Sequence, residues 1–187
     1  MILLLFSITC FIISGIILIL SKTIENRERK SSSYKYTKGN IDWVPGADQW
    51  IDTDAFFDSR SGMINHIFIS GLAHHCSIQD CGIFGGIIYN DKDNPVDKKA
   101  MAIRSYQSKK VIGYVPAAIL DDYRKWCGRK ECHCVGFLYR QEGKLRGRVR
   151  VYHPDCDLEL IEKDGAQYLE KVCEIFGWEI PSGEFKI

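Results

Sequence analysis

Residues 94–103 read Asn-Pro-Val-Asp-Lys-Lys-Ala-Met-Ala-Ile, and residues 112–116 read Ile-Gly-Tyr-Val-Pro. The first stretch begins as a turn and ends as a strand. Asp91-Lys-Asp-Asn94 is a run of turn formers, Pro95 fixes φ at about −65°, and Asp97 carries a carboxylate that can accept backbone N–H bonds. Ala100, Ala102 and Ile103 then open an apolar run. The second stretch is a short β-branched and aromatic run stopped by Pro116, whose preset φ suits the first turn of a helix. That helix is expected over Ala117–Trp126, with Gly128 ending it.

The same texture extends outward in both directions. Ile64–Leu72, Ile83–Tyr89, Ala100–Tyr106, Val111–Val115, Cys134–Tyr139 and Arg148–Tyr152 are short β-branched or aromatic runs bounded by turn residues. Lys109-Lys110 and Gln141–Lys144 read as hairpin loops. Asp164-x-x-Gln167 resembles a capping box that would open a helix running to Phe176, with Leu169, Val172, Cys173 and Phe176 on one face. Six short strands with one intervening helix predict a mainly β fold, a small barrel with one or two short helices.

The two motifs resemble those of the HIRAN family, which carries an Asn-Pro-x-Asp-x-x-Ala-Ile-x-Val segment, then a short hairpin and a Gly-Tyr-[Val/Leu]-Pro-like strand end leading into a helix. Met101 and Ile103 stand here at that segment's Ile and Val. Ile67-Phe-Ile-Ser-Gly71 fits that family's first strand. The resemblance covers residues 63–153 and implies an OB-like β-barrel. It also implies binding of single-stranded DNA at its 3′ end, with the loop Asp meeting the terminal hydroxyl. Carried onto this chain, the implied site comprises Asn94 and Asp97 in the loop, with His74 and His75 after the first strand. The family's base-stacking loop aromatic is Val96 here, and its Arg-Tyr-Tyr-like segment is Ala73-His74-His75. A histidine can still stack on a base and donate to a phosphate; a valine cannot stack.

Further candidates come from the residues alone. Arg146, Arg148 and Arg150 alternate with Gly147 and Val149, so a strand would project all three from one face, able to track a phosphate backbone. Lys98 and Lys99 in the loop would extend that basic surface.

The 187 residues allow one globular domain with appendages, and the 12% aromatic content excludes a disordered chain. With 25 Lys+Arg against 24 Asp+Glu, bulk positive charge cannot drive polyanion binding. The distribution is uneven. Ile2–Leu20 reads ILLLFSITCFIISGIILIL without a charge, long enough to cross the ~30 Å core of a bilayer. No basic residue precedes it, and Leu20-Ser21-Lys22 makes a poor cleavage site, so residues 1–21 read as a transmembrane anchor rather than a signal peptide. Residues 22–38 carry a net charge of +4. The positive-inside rule then places the rest of the chain in the cytoplasm. Residues 22–62 read as a basic linker with an aromatic lead-in, and 154–187 as a helical extension.

Seven cysteines follow the anchor. On the cytoplasmic side free thiols are expected. Cys76, Cys81, Cys132 and Cys134 are zinc candidates by residue type, yet none sits in a Cys-x2-Cys knuckle, and small packing cysteines explain them without a metal. No cofactor is expected. The chain lacks a Walker A segment and any helicase motif, so binding rather than catalysis is expected. Single-stranded DNA is the expected partner, beside the membrane reached through the anchor. A protein–protein adaptor on the same barrel is the alternative, and a thiol- or metal-dependent enzyme using His74, His75 and Cys76 a distant third. The topology has a direct check: a C-terminal epitope tag on intact cells should resist protease added outside, and its digestion would refute the orientation.

Overall fold

The structure, a computed structural model, describes residues 39–47, 57–58, 60 and 62–179. The anchor expected at 1–21 and the linker that follows it lie outside those residues. Among the described residues no helix is long and apolar enough to cross a membrane.

Six antiparallel strands form one curled sheet: β1 (Ile64–Phe68), β2 (Gly82–Asn90), β3 (Met101–Ser105), β4 (Val111–Tyr114), β5 (Cys132–Gln141) and β6 (Lys144–Tyr152), in the spatial order β1-β6-β5-β2-β3-β4. All six correspond to the runs read from the sequence. The sheet is a curled half-barrel whose two edges touch at one bridge. Just beyond β1, Ser70 N donates to Tyr114 O and Tyr114 N donates back to Ser70 O, both at 2.9 Å. The motif glycine makes this approach feasible: a Cβ on Gly113 would lie 2.5 Å from Ser70 O and 2.4 Å from Ile69 Cγ2.

Strand alternation sorts side chains into two cores. Inside the curl lie Ile67, Ile88, Ile103, Cys134, Leu138, Val149 and Val151. A short helix after β1, α1 (Leu72–His75), adds Leu72 to this core, and α2 (Leu120–Trp126) adds Leu120 and Tyr123. Pro116 leads into a 3-10 turn, Ala117–Ile119, before α2 begins.

On the outside, α3 (Leu158–Phe176) packs Leu169, Val172, Cys173 and Phe176 against Val135, Phe137, Tyr139 and Tyr152. The sequence pattern located that helical face but misplaced its start. The helix opens at Asp157, whose carboxylate accepts from Glu159 N at 3.0 Å. Asp164 lies inside it because its carboxylate is engaged elsewhere, by Arg150 and by the Tyr152 hydroxyl. Residues 39–47 join the same outer core: Trp43 packs 4.8 Å from the Tyr139 ring, and Asp42 pairs with Arg140.

Gly113→Ala tests the closing bridge. The added methyl meets the Ser70 carbonyl as well as the buried, β-branched Ile69 side chain, neither free to move aside, so a loss of about 1–3 kcal/mol is expected. Urea unfolding of the variant should show a lower midpoint, and an unchanged midpoint would mean the edges part without cost.

Candidate nucleic-acid interface

The loop joining β2 to β3 is held by its own side chains. Asn94 Oδ1 accepts from the N–H groups of Val96 and Asp97, each at 2.9 Å, and Asp97 Oδ1 accepts from Lys99 N at 2.8 Å. The ends close with Asp91 N donating to Ala100 O and Ala100 N donating to Asp97 O. These Asx-type bonds are the turn chemistry read from Asn94 and Asp97. Helix α2 braces the base of the loop: Arg124 Nη1 donates to Lys99 O at 2.7 Å and to Asn90 Oδ1 at 3.1 Å, and Asn90 Nδ2 donates to Arg129 O. The tip stays in solvent. Asp97, Lys98 and Lys99 are exposed, and Val96 is 93% exposed.

His74 and His75 lie in α1 and are exposed. Tyr114 joins this helix to the loop. The His75 ring packs edge-on to the Tyr114 ring with centroids 5.4 Å apart, and the Tyr114 hydroxyl donates to Asp91 Oδ2 at 3.1 Å. Burial, and then the bond to Asp91, pushes the Tyr114 hydroxyl pKa up. His75 and the Asn94–Asp97 loop thus flank one tyrosine. The sequence reading quoted Tyr114 within its motif but gave it no role. The strand register that sets it opposite Ala102 is a tertiary fact.

The three arginines of β6 meet a different environment. They share a face, as alternation requires, but it is the outer face where α3 and Trp43 pack. Arg148 is only 7% exposed, its guanidinium lying 4.7 Å from the Trp43 ring and 4.9 Å from the Phe68 ring while Nε donates to the Tyr139 hydroxyl at 3.0 Å. Arg150 Nη2 donates to Asp164 Oδ1 at 2.9 Å, and its Nε lies 2.8 Å from Oδ2 in the same ion pair. Arg146 is exposed, but it pairs with Tyr139, roughly 23 Å further along β5 than Cys132, the residue level with the loop end of β2. An open row of three phosphate contacts is therefore not what this face presents: two of the three guanidiniums brace the outer core. Lys98 and Lys99 remain at the loop.

The zinc candidates do not converge. Cys132 and Cys134 point into the inner core while His133 between them faces outward. The neighbouring Cys127 and then burial push the Cys132 thiol up, burial alone raises Cys134, and burial lifts Cys76 to about 12 and Cys81 to about 11, which opposes the thiolate a metal needs. Cys127 departs from this trend: its neighbour Cys132 draws its thiol below the usual range. Among the described residues no three or more His, Cys, Asp or Glu gather to hold a metal ion. Comparison with family models, with curated proteins and with solved structures finds no match for the chain.

His133 provides a pH test. Tyr106 Oη lies 2.7 Å from its Nδ1, and burial holds the imidazole below its usual pKa of 6.5. The folded chain therefore binds this proton less readily than the unfolded chain, and stability falls as pH drops below about 6.5. Melting midpoints should decline less between pH 7 and pH 5 in His133→Gln than in the parent, whereas equal slopes would remove His133 from the titration.

Proposed function

We propose that the chain is a membrane-tethered HIRAN-like module with an OB-like barrel, held at the membrane by residues 1–21 with its domain in the cytoplasm, that binds the end of a single DNA strand. The observation that carries this reading is the Asn94–Asp97 loop, closed by its own side chains and presented at the surface beside His75 and Tyr114. Asp97 offers an exposed carboxylate to a donor hydroxyl and would repel a terminal phosphate. Lys98 and Lys99 supply the local positive charge that a domain of net charge −3 over residues 39–187 otherwise lacks. Val96 offers no ring at the loop tip, so affinity at the end itself is expected to be weak, by the ~1–3 kcal/mol of a base stack.

The alternative is an adaptor that grips a protein through exposed apolar groups, with Val96 at the loop tip and Leu158 and Leu160 on α3 as the candidates. The two readings separate on one titration. Asp97→Ala should erase any preference for a free 3′-hydroxyl over a 3′-phosphate, while Lys98→Ala should weaken both ends alike and lower the salt dependence by about one phosphate contact. Fluorescence anisotropy with short oligonucleotides at low salt reads both effects. Absence of binding there would leave the adaptor.

A further inference from the structure

The register of the sheet places a second group of rings beside the loop. Directly paired residues of an antiparallel ladder point to the same face. Tyr89 pairs with Ala102, and Ala102 with Tyr114, so these three form one row across β2, β3 and β4. His133, Ile87 and Arg104 form the next row across β5, β2 and β3. Tyr106 follows at the level of Gly85, which has no side chain, and its hydroxyl reaches His133 across that gap. The inner core lies on the opposite face, with Ile88, Met101, Ile103 and Cys132 completely buried.

The helix α3 covers the other end of this same outer face, burying its apolar side on Val135, Phe137, Tyr139 and Tyr152, and leaves these rows beyond it. Tyr89, Tyr106, Ile87 and His133 are half-buried and Arg104 is exposed, its guanidinium lying 4.9 Å over the Tyr89 ring. Ala102 is fully covered although it belongs to neither core, and Tyr89 and Tyr114 are its neighbours on either side in the row. The solvent side of an antiparallel strand is ordinarily polar. Here it presents rings beside a guanidinium, with Lys109 and Lys110 in the adjoining hairpin and Glu131 as the carboxylate next to His133. Flat apolar faces interleaved with positive charge suit a ligand of stacked planar groups on an anionic chain. The surface is also continuous with the loop, because Tyr114 belongs to both: its ring stands in the first row and its hydroxyl binds Asp91.

We propose that this face of β2, β3 and β5 is a stacking platform for single-stranded DNA, carrying the nucleotides that follow the one held at the loop. Tyr89 supplies a ring to a base, and Arg104 contacts the phosphates. The proposal rests on the reading of the Asn94–Asp97 loop as a DNA-end site and adds the path the strand takes away from it.

Strand length provides the test. The full chain, solubilised in a nonionic detergent, is titrated against fluorescein-labelled oligothymidylates of four and twelve nucleotides. The longer strand should bind more tightly. Tyr89→Ala should weaken it at least about fivefold, Arg104→Ala should also weaken it, and neither should alter binding of the shorter strand. Tyr89→Phe, which keeps the ring, should retain the affinity of the parent and so distinguishes stacking from a fault in folding. Equal binding of the two lengths by the parent, or full affinity for the longer strand in both Tyr89→Ala and Arg104→Ala, would overturn the platform while leaving the loop site standing. If neither oligonucleotide binds, the loop reading falls, and the platform with it.

Discussion

Two hydrogen bonds between Ser70 and Tyr114 hold the first and last strands of the sheet edge to edge, and the arrangement of everything around the loop depends on them. A strand edge left open exposes a row of unpaired donors and acceptors. Here the curl brings the end of β1 onto β4, and the glycine before Tyr114 lets two backbones approach where any Cβ would collide. The same contact sets α1 beside Tyr114, so the His75 ring and the Asp91 carboxylate come to share one side chain. A local backbone requirement at Gly113 thereby fixes the meeting of residues that are distant in sequence.

The outer core explains why positive charge in β6 is not surface charge. A guanidinium can be enclosed where rings cover its faces and acceptors satisfy its edges. Arg148 has Trp43, Phe68 and Tyr139 around it, and Arg150 has the ion pair with Asp164 and the Tyr168 ring. These arginines join three separate pieces, the 39–47 segment, the sheet and α3. Removing Arg148 would leave the buried Tyr139 hydroxyl without its donor, and removing Arg150 would leave a half-buried carboxylate without its cation, losses usually larger than that of an exposed ion pair.

Much of this was legible in the sequence, and the reasons are physical. The six strands announced themselves because short β-branched runs between turn residues have few other ways to fold, and the loop was legible because Asn94, Pro95 and Asp97 act on their own backbone. The start of α3 was misread because Asp164-x-x-Gln167 has the composition of a cap, and only the fold shows its carboxylate taken by Arg150 and Tyr152. The arginine row was read correctly as one face, but alternation says which residues share a side, never what covers it. Tyr114 and the row from Tyr89 through Ala102 escaped notice for the same reason: register between strands is set by the whole sheet.

The strand order also has a consequence for the chain as it is made. β2 with β3, β3 with β4 and β5 with β6 are neighbours in sequence and can pair as soon as each turn forms, the last across a two-residue turn at Glu142-Gly143 in left-handed conformation. β1 has no such neighbour. Its partner is β6, with Ile64 opposite Tyr152, so the first strand to leave the ribosome must wait for the last. Until then Ile67 has no interior to enter and β1 has no ladder to join. Translation rate and chaperone access over that interval therefore bear on the yield of folded protein, through the one strand whose mate is synthesised last.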